Sequence, residues 1–401
     1  MKKLITLLIF SLLSTVLFVQ KSNAIPAFAR KYRLSCKTCH TPSAPKLKDY
    51  GDSFAGQGFK LEDEEAPRYY VPAGDEKLSL IRDFPIAVRL DGHVTYNSSN
   101  SNSSDFGTPY LMKILSGGEL SNKLSYYFYF YMNEKGELAG VEDAYLMYDN
   151  LFDSELDIMV GQFQVSDPLF KRELRLSLED YILYTSQIGL SDITLKYDRG
   201  MMLTYGFETG TDIIFEVVNG NGIPERRLNL FDKDKYKSYF AKIAQGIGEN
   251  IGVGVFGYMG KEDQENGSGG VIENEVMIFG PDLTLNFSDI FELNFQYTIR
   301  EDSKVYTSVG AVTTMENVKT DGIFAEVIYS PQADQSDWYL LGMYNKVESD
   351  FDPADYESAT LHAGYMLRRN IRLATEYTYV MNDPFFGNDF GKFSVGIVSA
   401  F

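Results

Sequence analysis

Cys36-Lys37-Thr38-Cys39-His40 sets the chain's two cysteines three positions apart, with a histidine directly after the second. At this spacing each thiol can form a thioether to a haem vinyl group, and the imidazole can become the proximal iron ligand. The competing chemistry is a redox disulfide of the CxxC kind, which belongs beside a βαβ pattern. No such pattern lies near residue 36, and the chain holds no further thiol for exchange. The residues therefore predict one covalent haem c.

Two kinds of segment must position that group. The N-terminus reads Lys2-Lys3, an apolar run over 4–19, then Ser22-Asn23-Ala24. This is the pattern of a signal peptide over 1–24, with Ile25 starting the mature chain. Residues 25–83 form a small separate region, with a helix predicted over 44–55 and a charged linker at Glu62-Asp63-Glu64-Glu65. So few residues cannot bury a core unaided, so the region needs the haem, a barrel lumen, or both.

From Phe84 to Phe401 the sequence alternates. Over 290–300, Phe291, Leu293, Phe295, Tyr297 and Ile299 point one way, while Glu292, Asn294, Gln296, Thr298 and Arg300 point the other. Segments of about ten residues, apolar outside and polar inside, are the mark of a transmembrane barrel. The alternation gives sixteen strands, with short turns near 121–122, 152, 210, 248, 288, 334 and 370. Long polar connections are expected over 98–108, 165–197, 221–234, 262–270, 302–316, 349–355 and 383–390. The predicted fold is all-β: a 16-stranded transmembrane outer-membrane β-barrel over 84–401, with 25–83 as a mono-haem cytochrome plug and linker. Phe393, Val395, Ile397 and Phe401 share one face of the last strand, which looks like the C-terminal signal of bacterial outer-membrane barrels. The formal charge, −19, becomes −22 once Lys2, Lys3 and Lys21 leave with the signal, which argues against nucleic acid and fits cationic partners.

The segment 166–197 is too long for an ordinary loop, and its Leu169, Leu174, Leu176, Leu178 and Tyr181 make it amphipathic in part. It is expected to fold into the lumen as a constriction. Val160-Gly161-Gln162-Phe163 with Asp167-Pro168-Leu169 looks like the corresponding region of phosphate-selective porins. Lys171, Arg172 and Arg175 would then either line an anion path or brace the pore as a salt-bridge cluster.

A second resemblance covers about 35 residues. Ile25-Pro26-Ala27-Phe28-Ala29-Arg30-Lys31-Tyr32, the Cys36–His40 motif, Pro45-Lys46-Leu47, Gly51, Phe54 and Gly58-Phe59 resemble the N-terminal segment of fused cytochrome–porins. These are mono-haem outer-membrane proteins that include the outer-membrane iron-oxidising cytochromes. The resemblance implies that Cys36 and Cys39 are the thioether attachments and His40 the proximal ligand. It also implies residence in the bacterial cell outer membrane, contact with its lipid, a periplasmic c-type cytochrome as partner, and extracellular Fe(II) or another donor.

The sixth iron ligand remains to be assigned. Region 25–83 offers no second histidine and no methionine, so the ligand is a barrel residue, a lysine or tyrosine, or none. Period two places Arg89, Asp91, His93 and Thr95 on the lumen face of the first strand and His362 and Met366 on that of the fourteenth. His93 is expected opposite His40, since it follows the linker closely and loop closure over so short a distance costs little. Arg89 is expected near the haem propionates, where a charge-assisted bond is strong. The function this favours is electron passage across the outer membrane. The alternatives are a porin for small solutes, anions among them, with a haem plug that gates it or senses redox state, and a haem-based redox or gas sensor.

Overall fold

Alternation this regular leaves each strand with one face that wants water or polar partners and one that wants lipid, which only closure into a barrel satisfies. The computed structural model describes residues 27–32, 34–41, 45–61, 84–99, 103–121, 123–224, 229–265, 269–309, 312–387 and 389–401. The expected signal over 1–24 and the charged linker at 62–65 lie outside them.

Sixteen antiparallel strands, each paired to its sequence neighbours, close when β1 (Ile86–Asn97) pairs with β16 (Phe390–Ala400). Register between them runs from Arg89 opposite Ala400 to Asn97 opposite Lys392. Between them stand β2 (Ser103–Ser121), β3 (Leu124–Glu134), β4 (Gly140–Tyr148), β5 (Leu156–Gln164), β6 (Tyr197–Phe207) and β7 (Thr211–Val218). Then follow β8 (Ser238–Ile247), β9 (Ile251–Glu265), β10 (Val271–Phe287), β11 (Phe291–Val309) and β12 (Val312–Tyr329). The circuit is completed by β13 (Trp338–Ser349), β14 (Tyr356–Arg368) and β15 (Ile371–Asn382).

The faces fall as the alternation requires. Leu90, Val94 and Tyr96 of β1 and Leu361, Tyr365 and Leu367 of β14 are exposed on the outside. Asp91, His93, His362, Gln296 and Arg300 are buried on the inside. Large apolar side chains exposed all round an outer wall, with polar ones sealed within, is the arrangement a bilayer stabilises. The barrel is a membrane-spanning one of the outer-membrane type.

One connection departs from the sequence reading. The polar stretch 302–316, expected as a loop, continues β11 and β12 as a long hairpin whose pairing reaches Val309 opposite Val312. Its β-branched residues favour extended backbone, and Val305 and Val318 are buried with Ile188 of the constriction segment. In the same way β2 begins at Ser103, inside the expected 98–108 loop.

The plug comprises three short helices, α1 (Ala27–Tyr32), α2 (Cys36–Cys39) and α3 (Asp49–Gly56). Over the described residues the helix expected over 44–55 starts at Asp49, because Lys46 and Lys48 are held back against Thr41 and α2. Thr41 N–H donates to Lys46 O at 3.1 Å and Lys48 N–H to Cys39 O at 2.9 Å. Gly51 makes this fold-back possible, since a Cβ there would lie 2.1 Å from the Cys39 carbonyl oxygen. An aromatic knot joins the ends: Phe28 stacks on Phe59 at 4.7 Å, and Phe54 meets Phe28, Tyr32 and Phe59 edge-on.

Candidate haem site at the short-turn mouth

Several polar contacts between the described N-terminal residues and the wall lie at the end of the barrel with short turns. Lys48 pairs with Asp334 in the β12–β13 turn, Lys46 with Glu292 at the start of β11, and Lys60 with Asp149 after β4. Lys37 donates to Gln335 Oε1 at 2.6 Å, and Arg30 to the Ile86 carbonyl at the start of β1.

α2 presents Cys36 and Cys39, with His40 directly after it. Ser35 caps it, accepting from Lys37 N–H at 3.4 Å, and His40 N–H closes its last turn on Cys36 O at 2.9 Å. Neither cysteine is in a disulfide. The His40 ring lies with Nδ1 2.9 Å from the Pro45 carbonyl oxygen. A carbonyl only accepts, so Nδ1 carries the hydrogen and Nε2 keeps its lone pair, the tautomer a metal-binding histidine requires. Burial lowers the His40 pKa, against the opposing effect of its backbone contacts to Pro45 and Lys46. Burial raises both thiols, Cys39 with the help of neighbouring Cys36.

Cys36, Cys39 and His40 line a cavity of about 730 Å³ between plug and wall. That lies within the roughly 300–1,000 Å³ typical of pockets for cofactor-sized ligands. Phe28, Phe54, Phe59 and Leu115 give it apolar walls, and Arg89, Arg369 and Arg372 bring positive charge to one side. An apolar slot, two free thiols, an imidazole with Nε2 unprotonated and nearby guanidinium groups fit a haem c with its propionates.

Arg89 lines the cavity, and its guanidinium also holds Asp91 through Nη2 at 2.6 Å. His93 points inward as expected but is not brought to this cavity. The β1 residues that line it are Ala87, Val88 and Arg89, and His93 lies four residues further along, about 13 Å at strand spacing. It lines instead a separate space of about 20 Å³ with Asp91, His362 and Glu376, behind Arg89, Leu176 and Arg372. Its ring is 2% exposed and packs so closely on β16 that a Cβ at Gly396 would meet His93 Nδ1 at 2.1 Å. His362 is engaged on both nitrogens, with Glu376 Oε2 at 2.9 Å and the Tyr339 hydroxyl at 3.2 Å. The cavity also holds residues the motif did not announce: Lys46, Lys113, Arg369 and Arg372, with Met366 among its thioethers. Inward register on β2, β14 and β15 was the available signal for the wall residues.

Above the cavity the segment 165–196 fills the lumen. It contains the short helix α4 (Ile182–Thr185). Leu178 and Glu179 N–H groups donate to Glu376, Asp192 N–H to Glu262, and Leu190 N–H to the Tyr306 carbonyl. Lys242 reaches the Pro168 carbonyl, Asn345 that of Asp180, and Arg300 that of Ile193. Tyr181, Tyr184, Ile193 and Leu195 are buried against Phe240, Phe256, Tyr258 and Phe324 of the wall. Of the three basic residues expected either on an anion path or in a brace, Lys171 pairs with Asp167 at 2.7 Å and Arg172 with Asp180 at 3.0 Å. Arg175 Nε lies 3.9 Å from the same Asp180. They are a brace.

Solved structures with this architecture are bacterial outer-membrane channels. The anion-selective porin from Comamonas acidovorans aligns with 80% of this chain and 99% of its own, at TM-score 0.55 and 11% identity. The outer membrane channel DcaP of Acinetobacter baumannii gives 80% and 97%, 0.55 and 14%, and OmpF of Salmonella typhi 79% and 97%, 0.56 and 12%. The fold is that of an outer-membrane porin. At these identities the likeness is one of fold alone. No protein-family model and no curated protein sequence matches the chain.

Proposed function

We propose that this porin-fold barrel is an outer-membrane mono-haem c-type cytochrome that carries electrons across the membrane, from an extracellular donor such as Fe(II) to a periplasmic c-type cytochrome. The observation that carries the reading is the His40–Pro45 bond beside two free thiols on a cofactor-sized cavity. Haem, when bound, supplies the one-electron chemistry. The chain's own residues do the rest. Cys36 and Cys39 tether the group, Pro45 fixes the imidazole tautomer, and the aromatic knot keeps water from one face. The three arginines offset propionate charge. The net charge, −19 for the full sequence and −22 without the expected signal, favours a cationic donor.

A solute porin with a haem gate is the second reading, and the fold favours it. Against it stand the pairing of Lys171, Arg172 and Arg175 and the apolar packing of the constriction segment. The test is haem staining of a denaturing gel. The wild-type chain should stain covalently and the Cys36→Ala/Cys39→Ala double variant should not; equal staining of both, or of neither, overturns the cytochrome reading.

A further inference from the structure

We propose that Met366 is the sixth iron ligand, opposite His40, which rests on the haem reading above. Region 27–61 has no methionine and no second histidine among its described residues, so an axial partner for His40 of either type has to come from the wall or from the constriction segment. Neither barrel histidine lines the cavity. Four thioethers do: Met147, Met159, Met202 and Met366.

The wall's contacts with α2 separate them. Lys37, inside the attachment motif, donates to Gln335 Oε1 at 2.6 Å. Two residues on, the Asp337 carbonyl accepts the Met366 N–H at 2.7 Å. Arg369, three residues beyond Met366, is near enough to Cys36 to act on its thiol, opposing the effect of burial. Arg369 also donates to Asp337, at 3.3 Å. Met366 thus belongs to the same wall sector as the attachment helix. It is 9% exposed, on the inward face of β14, and its register partner is Arg372, also on the cavity.

The other three thioethers form a row across β4, β5 and β6, with Met147 opposite Met159 and Met159 opposite Met202. An ion pair from plug to that sector, Lys60 with Asp149, comes from the C-terminal end of the described plug residues. Flexible thioethers on an apolar wall serve as packing, which is the role the row takes. A thioether opposite imidazole raises the reduction potential relative to two imidazoles, which suits a group that must accept electrons from a weak reductant.

The experiment uses full-length protein in detergent, stained for covalent haem and read by optical spectroscopy in both oxidation states. Wild type should be six-coordinate and low-spin, with the thioether-to-ferric-iron charge-transfer band. Met366→Leu should keep full haem staining, lose that band, become five-coordinate and bind carbon monoxide readily. Met366→His, which guards against misfolding of the leucine variant, should regain a six-coordinate spectrum without the band and at lower potential. Met202→Leu should match wild type. A Met366→Leu protein that stains for haem and keeps the band and low-spin state overturns the assignment, as does a wild type without the band. A wild type that does not stain overturns the cytochrome reading instead.

Discussion

The Phe59 ring of the plug stacks on Tyr127 of β3, with centroids 4.9 Å apart and planes 28° from parallel. This contact joins two aromatic columns, Phe28–Phe59 in the plug and Tyr127–Tyr129–Tyr131 on the wall. A Phe59→Ala substitution removes a ring from the plug column and with it the stacking contact to the wall column. It should cost about 3–5 kcal/mol of plug docking. Limited proteolysis should then release fragments from 27–61, while heat-dependent gel mobility of the barrel stays as in wild type.

The three lysine–carboxylate pairs that seat the plug differ in burial, and their worth should follow. Lys48–Asp334 is open to solvent, with side chains 24% and 41% exposed, so Lys48→Met should cost under about 1 kcal/mol and the loss should vanish in high salt. Lys60–Asp149 is more enclosed, at 17% and 4%. Lys60→Met leaves a buried carboxylate and should cost about 3–5 kcal/mol, little changed by salt. Equal losses in a salt titration of plug protease resistance would show that burial does not set the strength of these pairs.

Asp52, on the cavity, has its pKa pushed up to about 6 from 3.8, first by burial and then by the charge of Asp49. The folded plug therefore holds this proton more tightly than the unfolded one. Its contribution is fully present below pH 3.8 and is lost as pH rises through 6. Protease resistance of the plug should fall across that window, and Asp52→Asn should flatten the profile there. A variant profile that follows wild type would assign the dependence to other groups.

Reconstituted in planar bilayers, the protein should conduct far less than an open barrel of the same strand number, because the constriction segment is packed against the wall. Replacing 172–190 by a short Gly/Ser linker should open a large ohmic conductance. Replacing Lys171, Arg172 and Arg175 by Gln should not change anion selectivity, since all three already face carboxylates. A selective wild-type anion current that the triple variant abolishes would restore the solute-porin reading.

Much of the architecture was legible in the sequence, since period two has one meaning when lipid lies outside. β10 over 271–287 and β15 over 371–382 stand as the alternation placed them. The β11–β12 extension was not legible, because Glu301, Asp302, Ser303 and Lys304 are polar while the Val305 that anchors the hairpin packs on Ile188, far away in sequence. The clustering of Cys36, Cys39 and His40 was legible because these residues are nearly adjacent in the chain. His93 was read onto the correct face, but face is not depth. Its height along β1 is set by where the plug stops, which a linear pattern does not encode. Met366 and Arg369 share a cavity with Cys36 although more than 300 residues of chain lie between them.

A barrel whose lumen is packed across its constriction has a property that an open channel of the same width lacks. Each open channel adds leak in proportion to its number, so its abundance is limited by how much permeability the cell tolerates. Here Tyr181, Tyr184, Ile193 and Leu195 occupy the space through which solutes would pass. On the electron-carrier reading proposed above, copy number would be freed from that limit, and the membrane could carry as many of these barrels as it can insert while remaining a barrier to nutrients, toxins and ions.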